Sequence, residues 1–355
     1  MKQVQLYDDQ LGFEENKAQG PFGDYADTSN PYVNDGEPAY DFFGTPVYSP
    51  FGIAAGPLPT AKFIDAAFRK GFDIVTLKSV RTGTFPLNKY PQVRPVQLVD
   101  KIDPSSSEPV LLAPEYSNPL SVANSFGIPS VPPEKWQPDM RQAIDLANAS
   151  KGQALLVAFQ GTAHGKGRED FVQDHVKGVE LIKQTGFDGV IEINLSCPNE
   201  GEAVLACFDT DITIRIVTAV RQANPDLKFV IKTTYFEDEA QLKDLVQKVS
   251  GIVDGFSVIN TIAVPISDQA GNEVFPGRPT AGVSGAPIKW AGQEMTRRLN
   301  QYRDEFGYDY KIIGIGGVLS AKDFQEYRDL GADYVMSVTG AMWNPDLAAE
   351  IKASL

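Results

Sequence analysis

Short apolar runs alternate along most of the chain with glycine- or polar-rich loops and amphipathic helical stretches. The runs are FGIAAG (51–56), IVTLKS (74–79), ALLVAFQG (154–161), GVIEINLS (189–196), KFVIKTT (228–234), GFSVINTI (255–262), KIIGIGG (311–317) and YVMSVTGA (334–341). Each has the length of a buried strand. The segment EDFVQDHVKGVELIKQTG precedes the fourth run and DEAQLKDLVQKVSG precedes the sixth, both with the apolar spacing of a half-buried helix. Eight strands alternating with helices predict an α/β protein built as a parallel (β/α)8 TIM barrel. A doubly wound open sheet is the competing pattern, and it fits less well because no GxGxxG follows the first run.

Three regions interrupt the rhythm. Residues 1–36 are acidic and rich in Gly, Pro, Asn and Asp, which predicts an extended arm with little regular structure. Residues 37–355 are then a single barrel domain. AYDFFGTPVYSP opens that domain as a short hairpin with Gly44-Thr45 at its turn. The connections 80–133 and 263–286 are long. Both follow strands, so they are expected at the C-terminal rim as active-site loops.

Alternation assigns the strand faces. Ile191, Ile193 and Leu195 share a face suited to the helix ring, while Glu192, Asn194 and Ser196 face the barrel axis. By the same count Lys78 and Lys232 point inward at the ends of their strands. One such lysine can equally well snorkel to solvent. Two, together with Asn124, Asn194, Asn199 and Asn260, suit a planar, anionic, amide-bearing ligand. The glycine-rich ends IGIGG and SVTGA of the seventh and eighth strands read either as tight turns or as a phosphate cradle. Opposite an AAG loop, the cradle is the better reading.

Charge and composition narrow the partners. A formal net charge of -14 argues against a nucleic-acid or anionic-membrane surface. No apolar run approaches the roughly 20 residues that span a bilayer. The N-terminal MKQVQLYDDQLGFEENKAQG lacks the apolar core of a secretory signal, so a cytoplasmic location is expected. Two cysteines build no disulfide framework, and His164 and His175 are too few and too badly spaced for zinc. No metal is expected. Cys207 matches no motif and reads as structural. Cys197, in EINLSCPNE, could pack, bind or react.

The motif NLSCPN (194–199), with AAG (54–56), LKS (77–79), NSFGIP (124–129), IKTTYF (231–236), INT (259–261), GVSGAPIK (282–289) and GIGG (314–317), resembles the dihydroorotate dehydrogenases. The motifs occur in family order from about residue 40 onward. The resemblance implies an FMN-dependent barrel that oxidises dihydroorotate to orotate in de novo pyrimidine biosynthesis. Cys197 in place of serine is similar to the soluble class 1 members, in which a cysteine is the base. The resemblance then makes Cys197 the group that takes the C5 proton while the C6 hydride moves to flavin N5.

It places Lys78 between flavin and substrate, and Lys232 on the flavin. Asn124, Asn194, Asn199, Asn260 and Thr261 match the residues that hold orotate, and Phe126, Gly127 and Ile128 match the loop over it. Ala55, Gly56 and Ser79 match positions beside the flavin, with Asn194 shared. Ser284, Gly285, Gly316, Gly317, Thr339 and Gly340 match its ribityl and phosphate surroundings. A homodimer is what the family suggests. After NLSCPN the chain leaves the pattern with EGEAVLACFD, and Thr339-Gly340 stands where Gly-Thr is usual. The electron acceptor therefore stays open between fumarate, NAD through a partner subunit, and other oxidants. A related FMN oxidoreductase on another dihydropyrimidine or cyclic amide is the alternative. A barrel that binds a phosphorylated ligand without redox chemistry and a silent binding protein are the readings outside that class.

Overall fold

A computed structural model describes residues 4–196 and 205–355 of the chain. All eight apolar runs form strands of one closed barrel: β1 (Phe51–Ile53), β2 (Ile74–Val80), β3 (Ala154–Phe159), β4 (Val190–Asn194), β5 (Phe229–Thr233), β6 (Gly255–Val258), β7 (Lys311–Ile315) and β8 (Tyr334–Ser337). Neighbours in sequence are neighbours in space and pair in parallel. Closure is made where β8 meets β1, with Ser337 opposite Ile53. The outer ring carries α1 (Ala61–Arg69), α2 (Pro133–Ala149), α3 (Arg168–Lys183), α4 (Thr210–Ala223), α5 (Glu239–Val249), α6 (Lys289–Phe306) and α7 (Ala321–Asp329). Two short helices, Thr339–Trp343 and Leu347–Lys352, follow β8. Among the described residues, no helix is long and apolar enough to cross a membrane.

The pleat separates two cores. Ile191, Ile193 and Leu195 join the large apolar cluster between strands and helices. Ile74, Leu156, Val190, Val230, Ile313 and Met336 fill the barrel interior. The helices dock by regular spacing. In α5, Asp238 accepts hydrogen bonds from the backbone N–H of Ala240 and Gln241, which fixes the first turn. Leu242, Leu245, Val246 and Val249 then fall on one buried stripe, each side chain contributing roughly 1.5–3 kcal/mol.

The hairpin Tyr40–Phe42/Thr45–Val47 closes the N-terminal mouth of the barrel, with Phe42 and Val47 inside the inner cluster. Its turn is Phe43-Gly44 rather than Gly44-Thr45, because Phe42 pairs with Thr45. A two-residue hairpin loop of type I′ needs positive φ at both positions, and Phe43 (49°) and Gly44 (94°) supply it.

The two long connections are not simply loops. Ile262–Ser267 and Thr280–Gly285, from the second connection, pair with each other. Ile262–Ser267 also pairs with Val110–Leu111, and Thr280–Gly285 with Ser121–Asn124, on whose other side lies Val93–Pro95, all three from the first. The result is a five-stranded sheet over the C-terminal rim.

The arm also has more structure than its composition predicts. It contains a helix, Phe13–Gln19, and a 3₁₀ turn, Gly23–Ala26. Leu6, Tyr7, Phe13 and Tyr25 are buried in the main core. The backbone N–H groups of Gln5 and Leu6 donate to the Met342 carbonyl at 2.9 and 3.2 Å. The Tyr25 hydroxyl donates to the Ala341 carbonyl at 2.8 Å.

His175, on α3, is fully buried between Phe159 and Phe171, and its Nδ1 lies 2.9 Å from the Phe171 carbonyl. Burial pushes its pKa down from 6.5 to about 4. A depressed folded-state pKa means that the neutral ring stabilises the fold above pH 6.5. That stabilisation is lost as pH falls toward about 4. Asp73 acts in the opposite sense, since burial raises its pKa to about 6, so the comparison must be between variants. His175→Leu is expected to lose roughly 2–3 kcal/mol less stability than the native chain between neutral pH and the foot of this window. Urea denaturation across that range checks it, and equal losses would contradict it.

Candidate active site

A cavity opens at the C-terminal rim of the barrel, under the five-stranded sheet. The loop after β1 brings Ala55 and Gly56 to its wall, and the end of β2 brings Lys78 and Ser79. The rim sheet adds Asn124, Ser284 and Gly285, and the chain after Asn124 adds Phe126, Gly127 and Ile128. Asn194 comes from β4, Lys232 from β5, and Asn260 and Thr261 from the turn after β6. Gly316, Gly317 and Thr339 complete the wall behind β7 and β8. Cys197 and Asn199 lie outside the described residues. Gly340 is not on the wall: a Cβ there would meet the Val318 carbonyl at 2.4 Å and Ser337 Oγ at 2.6 Å. It packs the short helix against the strand ends instead.

Hydrogen bonds fix which atoms the amides present. Asn194 Oδ1 accepts from the Ser196 N–H at 3.1 Å and the Ser196 hydroxyl at 2.8 Å. Its NH₂ is thereby left to donate to a ligand. Asn260 Oδ1 accepts from the Thr261 N–H at 2.9 Å, and its Nδ2 donates to Ser196 Oγ at 3.0 Å. Asn124 Nδ2 donates to the Gly282 carbonyl at 3.2 Å, so its Oδ1 is the acceptor it offers. Ser196 is thus the hub that orients two of the three amides.

The lysines are set differently. Lys78 Nζ donates to the Gly56 carbonyl at 3.2 Å and lies 5.3 Å from the Phe13 ring centroid and 5.5 Å from that of Phe126. Each ring face stabilises the ammonium by about 0.5–1 kcal/mol or more. Lys232 is buried, with Nζ 3.5 Å from Glu192 Oε1. Beneath the loop over the site, the fully buried Arg81 donates from Nε to the Ile128 carbonyl at 2.9 Å and from Nη1 to the Gly161 carbonyl at 3.0 Å. It ties that loop to the end of β3.

Glycines shape the far wall. Gly285 (φ 89°), Gly316 (125°) and Gly317 (66°) all have positive φ. A Cβ on Gly285 would meet the Leu120 carbonyl at 2.2 Å, and one on Gly317 would meet Lys289 Cβ at 2.6 Å. Only glycine fits, and the bare backbone forms a cradle beside Thr339, whose hydroxyl lies 3.1 Å from Ser284 Oγ.

Tyr7 and Phe13 of the arm, with Met342 and Trp343, also line the cavity. Sequence reasoning misses them, since single aromatics in an acidic stretch carry no periodicity. Cys207 is buried away from the wall, and burial pushes its thiol up to about 12. It is expected to resist a thiol reagent at about pH 8 until the protein is unfolded. Mass spectrometry of labelled peptides checks this, and native-state labelling of Cys207 would contradict it.

The family model described as dihydroorotate dehydrogenase matches residues 115–355. A dihydroorotate dehydrogenase of Dictyostelium discoideum is 30% identical over 97% of this chain and 95% of that protein. A mitochondrial dihydroorotate dehydrogenase (quinone) of Candida glabrata is 28% identical over 87% of this chain and 71% of that one. The catalytic subunit of a dihydroorotate dehydrogenase B (NAD(+)) of Petrotoga mobilis is 31% identical over 51% of this chain and 58% of that one. A solved DHODH from Eimeria tenella, in complex with ferulenol, superposes with a TM-score of 0.71 at 17% identity, covering 93% of this chain and 85% of that one. That last likeness supports the fold.

Proposed function

The chain belongs to the dihydroorotate dehydrogenase family and is an oxidoreductase of that type, and from this premise we propose that it uses FMN to oxidise dihydroorotate to orotate in de novo pyrimidine biosynthesis. One observation carries the reading. Two lysine ammonium groups and three oriented amides converge on one rim cavity, beside a cradle in which only glycine fits. That donor set suits a planar, acceptor-rich, anionic ligand next to a phosphate. The residues therefore fit FMN and a carboxylated pyrimidine together.

In this reading Gly285, Gly316 and Gly317, with Ser284 and Thr339, hold the phosphate and ribityl end. Ala55, Gly56 and Ser79 flank the ring. FMN, when bound, supplies the hydride acceptor. Lys232 neutralises negative charge that develops on the ring side. Lys78 reaches toward both ring and substrate. Asn124, Asn194, Asn199 and Asn260, with Thr261, orient the substrate through its carbonyl and N–H edges. Phe126, Gly127 and Ile128 cover it and keep water out. Cys197 takes the proton from substrate C5, as in the cysteine-base class, because a thiolate is accessible near neutrality where an alkoxide is not.

The test is direct. Purified protein is expected to be yellow, and dihydroorotate added without oxygen is expected to bleach it. A flavin that stays oxidised overturns the substrate. A colourless protein that takes up no added FMN overturns the redox reading altogether. A reoxidation screen with fumarate, NAD and a quinone then names the acceptor, which the relatives, spanning quinone and NAD types, leave open.

A further inference from the structure

Beneath the cavity, inside the barrel, lies a buried polar cluster to which the function above gives no role. Glu192 on β4 and Ser257 on β6 are fully buried on either side of β5. The Ser257 hydroxyl donates to Glu192 Oε2 at 2.7 Å. Glu192 Oε1 accepts no hydrogen bond among the described residues and faces Lys232 Nζ at 3.5 Å. A carboxylate buried among apolar strands is costly unless it has a task or a partner. Its one partially satisfied oxygen is aimed at the ammonium that also lines the cavity.

We propose that Glu192 is a positioning residue that shares the Lys232 ammonium with the flavin, and so holds the flavin's reduction potential down. The inference rests on the FMN reading above. The physical argument is competition for one cation. Reduction places negative charge on the ring, and a nearby ammonium stabilises the reduced form over the oxidised one. A carboxylate on the opposite side of that ammonium draws it away and cancels part of its field. The outcome is a flavin reduced readily enough by substrate, yet still able to pass electrons on.

Glu192→Gln tests this. The amide can still accept from Ser257, but the competing charge is gone, and the reduced ring takes over as counter-ion for Lys232. The variant is expected to favour reduced over oxidised FMN about tenfold more than the native protein does. For a two-electron couple that is a rise of about 30 mV in midpoint potential, read by spectroelectrochemistry without substrate. Ser257→Ala is the gentler companion. It removes a donor from the carboxylate, strengthens its hold on Lys232, and is expected to move the potential downward. In a Lys232→Met background, the upward shift from Glu192→Gln is expected to shrink to well under half, because only the carboxylate's direct field on the ring is left.

FMN retention by the native protein is measured first. If the native protein holds no FMN, the functional reading falls and this proposal with it. If it holds FMN and Glu192→Gln leaves the potential unmoved or lowers it, only the role of Glu192 is overturned. That role is equally overturned if Ser257→Ala does not lower the potential, or if the Glu192→Gln shift is undiminished without Lys232.

Discussion

Cys197→Ser is expected to slow anaerobic flavin reduction by dihydroorotate about 10²–10⁴-fold, the range over which a positioned base contributes. Orotate affinity should change by no more than a few-fold. The asymmetry follows from the chemistry. A free thiol ionises near pH 8.5, whereas a serine hydroxyl needs help from its surroundings to accept a proton. Replacing sulfur by oxygen removes little contact area and no charge from the ground state. Stopped-flow reduction and orotate titration, both read at the flavin band, separate the two quantities. Parallel losses in rate and affinity would make Cys197 a packing residue. The native rate is also expected to rise with pH as the thiol ionises, and the variant to lack that rise.

The second large effect is expected at Lys78. Lys78→Met keeps a flexible apolar stem between Phe13 and Phe126 but removes the ammonium that bonds to the Gly56 carbonyl. A hydrogen bond to a charged group stabilises by about 1.5–3 kcal/mol. Orotate is therefore expected to bind roughly 10–150-fold more weakly. Flavin titration with orotate measures the loss directly. An unchanged dissociation constant would show that Lys78 only braces the wall between the two rings.

The barrel is legible in the sequence because each strand is a continuous apolar run ending at glycine or a polar loop. Period-two alternation then points Lys78, Asn194 and Lys232 inward, and the structure brings all three to one cavity. The rim sheet is not legible. Val110–Leu111 and Val93–Pro95 are too short to carry a pattern. Val110–Leu111 finds its partner, Ile266 and Ser267, far along the chain, so nothing local marks that pairing. Thr280–Gly285 is rich in glycine and small polar residues, which reads as loop. The hairpin turn is displaced by one because a phenylalanine at positive φ is disfavoured by local preference, and the register of its strands prevails. Glu192 is visible as an inward-facing residue, but its partners Lys232 and Ser257 come from other strands, and only the closed barrel brings them together.

The arm's anchoring bears on how the molecule is made. Tyr25 bonds to Ala341 across 316 positions of sequence. At roughly 5–20 residues per second of synthesis, the first segment waits roughly 15 s to a minute for its partner to emerge. Through that interval the Tyr25 hydroxyl lacks its native acceptor, and the arm's aromatics Tyr7, Phe13 and Tyr25 are flanked by Asp8, Asp9, Glu14, Glu15 and Asp24. These acidic neighbours oppose premature association between nascent chains. The wall that Tyr7 and Phe13 share with Met342 and Trp343 is complete only after residues through Trp343 have left the ribosome.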